Sequence, residues 1–113
     1  MNKNYYITTP IFYPSAKPHM GHAYTSIAAD VFARFKRIDG FNVHFLTGTD
    51  EHGLKIQRSA ENAKMDPLKF CDEISLTFRN LTKTLNLSNT DFIRTTEERH
   101  KISVEHFWNL LEQ

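Results

Sequence analysis

The sequence holds one cysteine, few backbone breakers, almost no charge imbalance and no long apolar run, and each shortage excludes something. Cys71 is the only cysteine, so neither an intramolecular disulfide nor a cysteine-based zinc knuckle can form within these residues. No stretch approaches the ~20 consecutive apolar residues of a membrane helix. The opening Met1-Asn2-Lys3-Asn4 has no apolar run of signal-peptide type behind it. A reducing, cytoplasmic setting with no membrane partner is therefore expected. Fourteen Lys plus Arg against thirteen Asp plus Glu leave a formal net charge of +1, and so neutral a chain does not advertise a nucleic-acid surface. If the protein meets RNA, these residues are not its main electrostatic anchor. No G-x-G-x-x-G follows the first two expected strands, which argues against a dinucleotide oxidoreductase.

What is present suits a packed fold. The hydrophobic fraction of 40% and charged fraction of 24% are ordinary globular values, and 113 residues allow one domain at most. Tyr5 to Thr9 reads as a short strand rich in β-formers. Pro10, Pro14 and Pro18 then punctuate a loop. A helix is expected from Gly21 or His22; Ile27, Val31, Phe35 and Ile38 recur along it at spacings of one helical face, and Gly40 suits its C-terminal stop. Asn42 to Thr47 reads as a second strand, apolar enough to be covered on both faces. Leu54 to Lys64 follows as a short helix with Ile56, Ala60 and Ala63 inward. Asp66-Pro67 is a clear helix start, a capping carboxylate followed by Pro at the first helical position. Cys71, Ile74, Phe78, Leu81 and Leu85 then mark the most regular helix in the chain. Asp91 to Arg94 is a candidate third strand, and Thr95-x-x-Glu98 resembles a capping box opening a last helix through Phe107, Leu110 and Leu111.

Strands alternating with helices imply an α/β fold, a parallel sheet with helices on its faces. Ligands in such sheets sit beyond the carboxyl ends of the strands. Two loops, residues 10–22 and 47–53, fall there. In the first, His19-Met20-Gly21-His22 follows a strand and opens a helix. Imidazoles three apart project to the same side, Gly21 leaves a bare backbone, and the helix start adds N–H groups and a positive dipole end. Together these fit a phosphate site with two donors able to follow charge onto oxygens; two surface histidines near a turn is the plainer alternative. In the second loop, Thr47-Gly48-Thr49-Asp50-Glu51-His52-Gly53, Asp50 can hold an ammonium group and the glycines leave room for a ligand. An ordinary strand-to-helix turn uses the same residue types. Convergence of His19, His22, Asp50 and His52 on a metal is a further possibility that nothing in the spacing demands. Cys71 reads as core, His44, His100 and His106 as structural or surface residues, and Glu97 to Lys101 as a solvated helix face.

Taken together and in this order, the two loops resemble those of class I aminoacyl-tRNA synthetases, whose "HIGH" signature the His19-Met-Gly-His22 string matches in form. Four segments sharpen the resemblance to the bacterial methionyl-tRNA synthetase family: Tyr6-Ile-Thr-Thr-Pro-Ile-Phe-Tyr13, Pro18-His-Met-Gly-His-Ala-Tyr-Thr25, Phe45-Leu-Thr-Gly-Thr-Asp-Glu-His-Gly53 and Asp91-Phe-Ile-Arg-Thr-Thr-Glu-Glu-Arg-His100. The resemblance covers essentially the whole chain. It implies the first half of a Rossmann-like (HUP-type) parallel sheet with helices on both faces, with residues 1–113 as the amino-terminal, nucleotide-binding part of the catalytic domain, ending before the family's connective insertion. It implies ATP-dependent conversion of methionine to methionyl-adenylate and transfer to tRNA(Met), with magnesium accompanying ATP. Residue by residue, His19 and His22 would contact the ATP phosphates and Gly21 the adenine. Ile11 and Tyr13 would line the methionine side-chain pocket, and Asp50 would bind the substrate ammonium. The family's K-M-S-K-S signature, the cysteines of its zinc-binding insertion and its anticodon-binding domain are absent from these residues, so a zinc site is expected only in the downstream insertion. On these grounds the chain reads as a fragment inactive alone. A different H-x-G-H nucleotidyltransferase, or a non-catalytic nucleotide-binding remnant, are the alternatives.

Overall fold

A computed structural model of the protein describes residues 3–112. Its elements are β1 (Lys3–Thr8), α1 (Met20–Ile38), β2 (Phe41–Thr49), α2 (Leu54–Asn62), α3 (Pro67–Thr84), β3 (Asp91–Arg94) and α4 (Glu98–Leu111). The strands form one parallel sheet in the order β1-β2-β3, with Lys3 to Thr8 opposite Phe41 to Leu46 and Leu46 to Thr49 opposite Asp91 to Arg94. The expected α/β class with a parallel sheet and packed helices is therefore present. Crossovers between parallel strands are right-handed. Two successive steps in the same direction across the sheet thus carry their helices to the same face.

That face is built from small residues on the helix and large ones on the strand. Ala29 and Ala33 of α1 pack on Val43 and Phe45 of β2, with Tyr5, Ile7 and Phe41 around them. Ser75 of α3 reaches the same side, its hydroxyl 2.9 Å from that of Thr49. A second cluster, Ile56, Ala60, Phe70 and Cys71, joins α2 to α3. Ala63, expected inward, is exposed because α2 ends at Asn62. On the opposite face the register partners Tyr6 and His44 stack at 5.5 Å between ring centroids, and both are exposed.

The apolar stripe of α1 points away from the sheet. Ile27, Val31, Phe35 and Ile38 do share one face, but all four are exposed, Ile38 to 87%. The buried face is Ser26, Ala29, Asp30 and Ala33, where alanines allow close approach to the sheet. Asp30 pays its way there by being fully partnered: Arg34 Nε donates at 2.7 Å, and the Ser88 backbone N and hydroxyl donate at 2.6 Å each. Burial pushes its pKa up, but the Ser88 and Arg34 hydrogen bonds outweigh that and leave it below its ordinary value.

Helix α4 has no buried residue, and Phe107 and Trp108 are each 63% exposed. The capping box expected at Thr95-x-x-Glu98 does not form: Glu97 is the N-cap and makes no side-chain cap bond. The Thr95 hydroxyl instead accepts the backbone N–H of Glu51 at 2.8 Å, because a buried N–H left unpaired costs more than an exposed helix end open to water. The Glu97–Lys101 run is likewise more than a solvated face, since Arg99 pairs with Asp91 and Glu97 at 2.6 Å each. Among the described residues no helix is long and apolar enough to cross a membrane.

Candidate functional site

The histidine pair sits where β1 hands over to α1. His19 lies just outside the helix as its N-cap, with extended backbone angles (φ −128°, ψ −177°), so the helix begins at Met20, slightly earlier than expected. Gly21 N donates to His19 Nδ1 at 3.0 Å, and His19 N donates to His22 Nδ1 at 3.0 Å. The rings approach to 3.9 Å between centroids. An Nδ1 that accepts a backbone N–H carries no proton, so in each neutral ring the proton is on Nε2. Each Nε2–H is therefore the free donor of its ring. His22 packs edge-on against Phe12 and Phe78, at 4.8 and 5.0 Å. Burial first, and the neighbouring His19 second, lower its pKa below the ordinary 6.5. The two rings, each with its Nδ1 taken by a backbone N–H, thus stand together at a helix N-terminus. A Cβ on Gly21 would lie 2.9 Å from the His19 ring, so this glycine gives the cap its room.

The loop after β1 is stitched to the end of β2. Phe12 N donates to Gly48 O at 3.0 Å, and Asp50 N donates to Phe12 O at 2.9 Å; Phe12 and Thr49 form a parallel bridge. The Phe12 ring faces His22 and Phe78, and Thr49 faces Ser75. Ile11 and Tyr13 flank Phe12 in the chain and Asp50 follows Thr49, so the bridge brings these three positions to the same stretch of backbone. Ile11 and Tyr13 are 38% and 55% exposed, and Asp50 is half-buried. Among the described residues no hydrogen bond engages the Asp50 carboxylate. The structure thus brings His19, Gly21 and His22 together at the helix start, and ties the backbone of the Ile11–Tyr13 loop through Phe12 to that of Asp50 at the carboxyl end of β2.

The family described as tRNA synthetases class I (M) matches residues 5–113. The chain belongs to this methionyl family of class I tRNA synthetases. It is 59% identical over 110 residues to a mitochondrial methionine–tRNA ligase of Takifugu rubripes, covering 97% of this chain and 19% of the relative. It is also 59% identical over 111 residues to a methionine–tRNA ligase of Rickettsia conorii, covering 98% and 22% respectively. A Mycobacterium tuberculosis methionyl-tRNA synthetase solved in complex with methionyl-adenylate superposes with a TM-score of 0.93 at 47% identity, over 95% of this chain and 21% of that one. The chain spans about a fifth of the length of the curated relatives it matches.

The residue that sequence reasoning passed over is Glu51. Its side chain has no exposed surface. Oε1 accepts from Thr49 Oγ1 at 2.9 Å and from Arg94 Nε at 2.7 Å, and Oε2 accepts from Thr96 Oγ1. Arg94 also reaches Asp72 at 2.6 Å, and its two carboxylate partners, Glu51 foremost, raise its pKa. The available signal was that Glu51 and Arg94 both fall within segments matched to the family while neither residue had a role of its own. Gly48 does not leave room for a ligand: a Cβ there would fall 1.9 Å from the Ile93 carbonyl oxygen. The room is taken by β3. Gly53 has φ +114°, a conformation that favours glycine.

His52 turns away from the histidine pair. Its Nε2 lies 3.3 Å from Thr95 O, and with His100, Lys101, Val104 and Glu105 it lines an open cleft of about 250 Å³ beside α4. His19, His22, Asp50 and His52 do not converge: among the described residues no three His, Cys, Asp or Glu stand together as metal ligands. Cys71 is buried in the α2–α3 cluster, as expected of a core residue. Burial, and then the Glu51 charge, push its thiol up to about 11, so it is inert as a nucleophile.

Proposed function

We propose that residues 1–113 form the amino-terminal, nucleotide-binding part of a catalytic domain that activates methionine with ATP and passes the methionyl group to tRNA(Met). The observation that carries this reading is the pair of imidazoles at a helix N-terminus, each with Nδ1 held by a backbone N–H and Nε2 without a hydrogen bond among the described residues. Methionine's carboxylate oxygen would attack the α-phosphorus of ATP, forming methionyl-adenylate as the bond to pyrophosphate breaks. His19 and His22 would donate to phosphate oxygens as negative charge grows on them, where donors already in place stabilise the transition state without reorganisation. Gly21 would lie against the adenine. Asp50 would take the ammonium group, and Ile11 and Tyr13 the side chain. The M. tuberculosis relative with methionyl-adenylate bound supports the same chemistry here.

Magnesium would arrive on the ATP phosphates, in keeping with that ion's preference for phosphate and water over a protein cage. These residues offer no cysteine set for zinc, which belongs to the downstream insertion of the family. A reducing, cytoplasmic compartment is part of the proposal, supported by the single buried thiol. The test is methionine-dependent ATP–pyrophosphate exchange by the complete protein, with Asp50→Asn beside it. A neutral amide forfeits a charge-assisted bond worth about 1.5–3 kcal/mol, so methionine affinity by calorimetry should fall roughly ten- to a hundredfold. Exchange that ignores methionine would refute the activity. Unchanged affinity in Asp50→Asn would assign Asp50 to the turn instead.

A further inference from the structure

We propose that Glu51 is a positioning residue for amino-acid recognition, holding the 49–53 turn so that Asp50 faces the Ile11–Tyr13 side. The inference rests on the reading of Asp50 as the ammonium partner.

Every polar group of Glu51 is engaged by a different part of the fold. Its carboxylate takes Thr49 from β2, Arg94 from β3 and Thr96 from the β3–α4 link. Its backbone N donates to Thr95 Oγ1 at 2.8 Å, and its carbonyl lies 3.8 Å from the Cys71 thiol of α3. Arg94 is braced in turn by Asp72 of α3. On the other side of the peptide, Asp50 N is tied to Phe12 O at 2.9 Å. The Asp50 backbone is therefore clamped from both sides, while its own carboxylate stays without a hydrogen bond among the described residues. A turn that needed only stability would be served as well by an apolar side chain, because burying an ion pair recovers little over a hydrophobic replacement. Charge-assisted bonds from three directions instead fix orientation. A carboxylate that must meet an ammonium group needs its direction set before the ligand arrives.

The test is steady-state ATP–pyrophosphate exchange by the complete protein. Glu51→Gln keeps the shape, and its amide oxygen can still accept from Thr49 and Arg94, but the charge is gone. The methionine KM should rise about tenfold and the ATP KM change less than about twofold, the size of coupling expected between neighbours in one network. A lower kcat with both KM values unchanged, in protein that circular dichroism shows to be folded, would overturn the proposal. Because Glu51 acts through Asp50, adding Glu51→Gln to Asp50→Asn should raise the methionine KM no further; multiplying effects would overturn it as well. Thr96→Val removes one donor only, should shift the methionine KM about threefold in the same direction, and decides the matter should Glu51→Gln fail to fold. If Asp50→Asn raises the methionine KM while Glu51→Gln and Thr96→Val do not, positioning is refuted and the ammonium site stands. If Asp50→Asn leaves it unchanged, the ammonium site itself falls, and this inference with it.

Discussion

Replacing His22 by Asn, Gln and Ala separates the capping role that the structure gives its ring from the phosphate-donor role proposed for it. Nδ1 accepts from His19 N at 3.0 Å and so caps the helix, while Nε2–H is the donor proposed to meet phosphate. Asparagine places an oxygen near the Nδ1 position and nothing at Nε2; glutamine does the reverse. Loss of the cap costs about 1 kcal/mol, and loss of the ring's contacts with Phe12 and Phe78 about 1–2 kcal/mol more. A protein of ordinary stability, about 5–15 kcal/mol, survives either loss folded. Removal of a transition-state donor costs about 3 kcal/mol, a hundredfold or more in rate. His22→Asn and His22→Ala should therefore both slow ATP–pyrophosphate exchange by the complete protein about a hundredfold. Only His22→Ala and His22→Gln should lose the cap's share of stability in urea melts, and Gln should retain more activity than Asn. A wild-type rate in His22→Asn would reduce His22 to a helix cap. The pH dependence follows with a definite sign. The folded-state pKa of His22 lies below its ordinary 6.5, so the unfolded chain takes up the proton first. The stabilisation is present above 6.5 and is lost as pH falls through the lower folded value, because a protonated Nδ1 can no longer accept the His19 N–H. Exchange activity should fail together with the cap on that acid limb and be unchanged at higher pH.

Gly48→Ala should destabilise the fold by more than about 3 kcal/mol, the upper range for overpacking, since its Cβ would meet the backbone of β3, 1.9 Å from Ile93 O. The urea midpoint reads this out, and a normally stable variant that loses methionine binding would return Gly48 to a ligand role. Residues 1–113 alone should not charge tRNA in an aminoacylation assay, with circular dichroism as the check on folding. The α1 stripe and α4 expose Val31, Phe35, Phe107 and Trp108, and a net charge of +1 offers the nucleic acid little electrostatic grip. Clear turnover by the purified fragment would refute this.

The elements were legible wherever local chemistry decides them. Asp66 accepts from Leu68 N and Lys69 N ahead of Pro67, the start of α3 that a capping carboxylate followed by proline dictates. Asp91–Arg94 is β3 as expected, and the spacing of His19 and His22 already implied that the rings project to the same side, although His19 caps the helix from just outside it. Helical periodicity also found the stripe Ile27, Val31, Phe35 and Ile38, but a period states only which residues share a face, not which neighbour that face meets. The face that meets the sheet carries Ala29 and Ala33, whose small side chains let the helix approach Val43 and Phe45 closely, with Asp30 held by Arg34 and Ser88. Thr95 was read as a helix cap for the same reason of scope: its local pattern is right, yet the buried N–H of Glu51, 44 residues away in sequence, claims its hydroxyl. Glu51 itself is an unremarkable acidic residue in a turn until β3 and α3 bring Arg94, Thr96 and Asp72 around it. The sequence by itself determined the strands, the helices, the family and the histidine pair, since each depends on residues near one another in the chain. Only the tertiary structure decided which α1 face is buried, why position 48 must be glycine and what clamps Asp50, because those rest on backbone and charge brought together from distant segments.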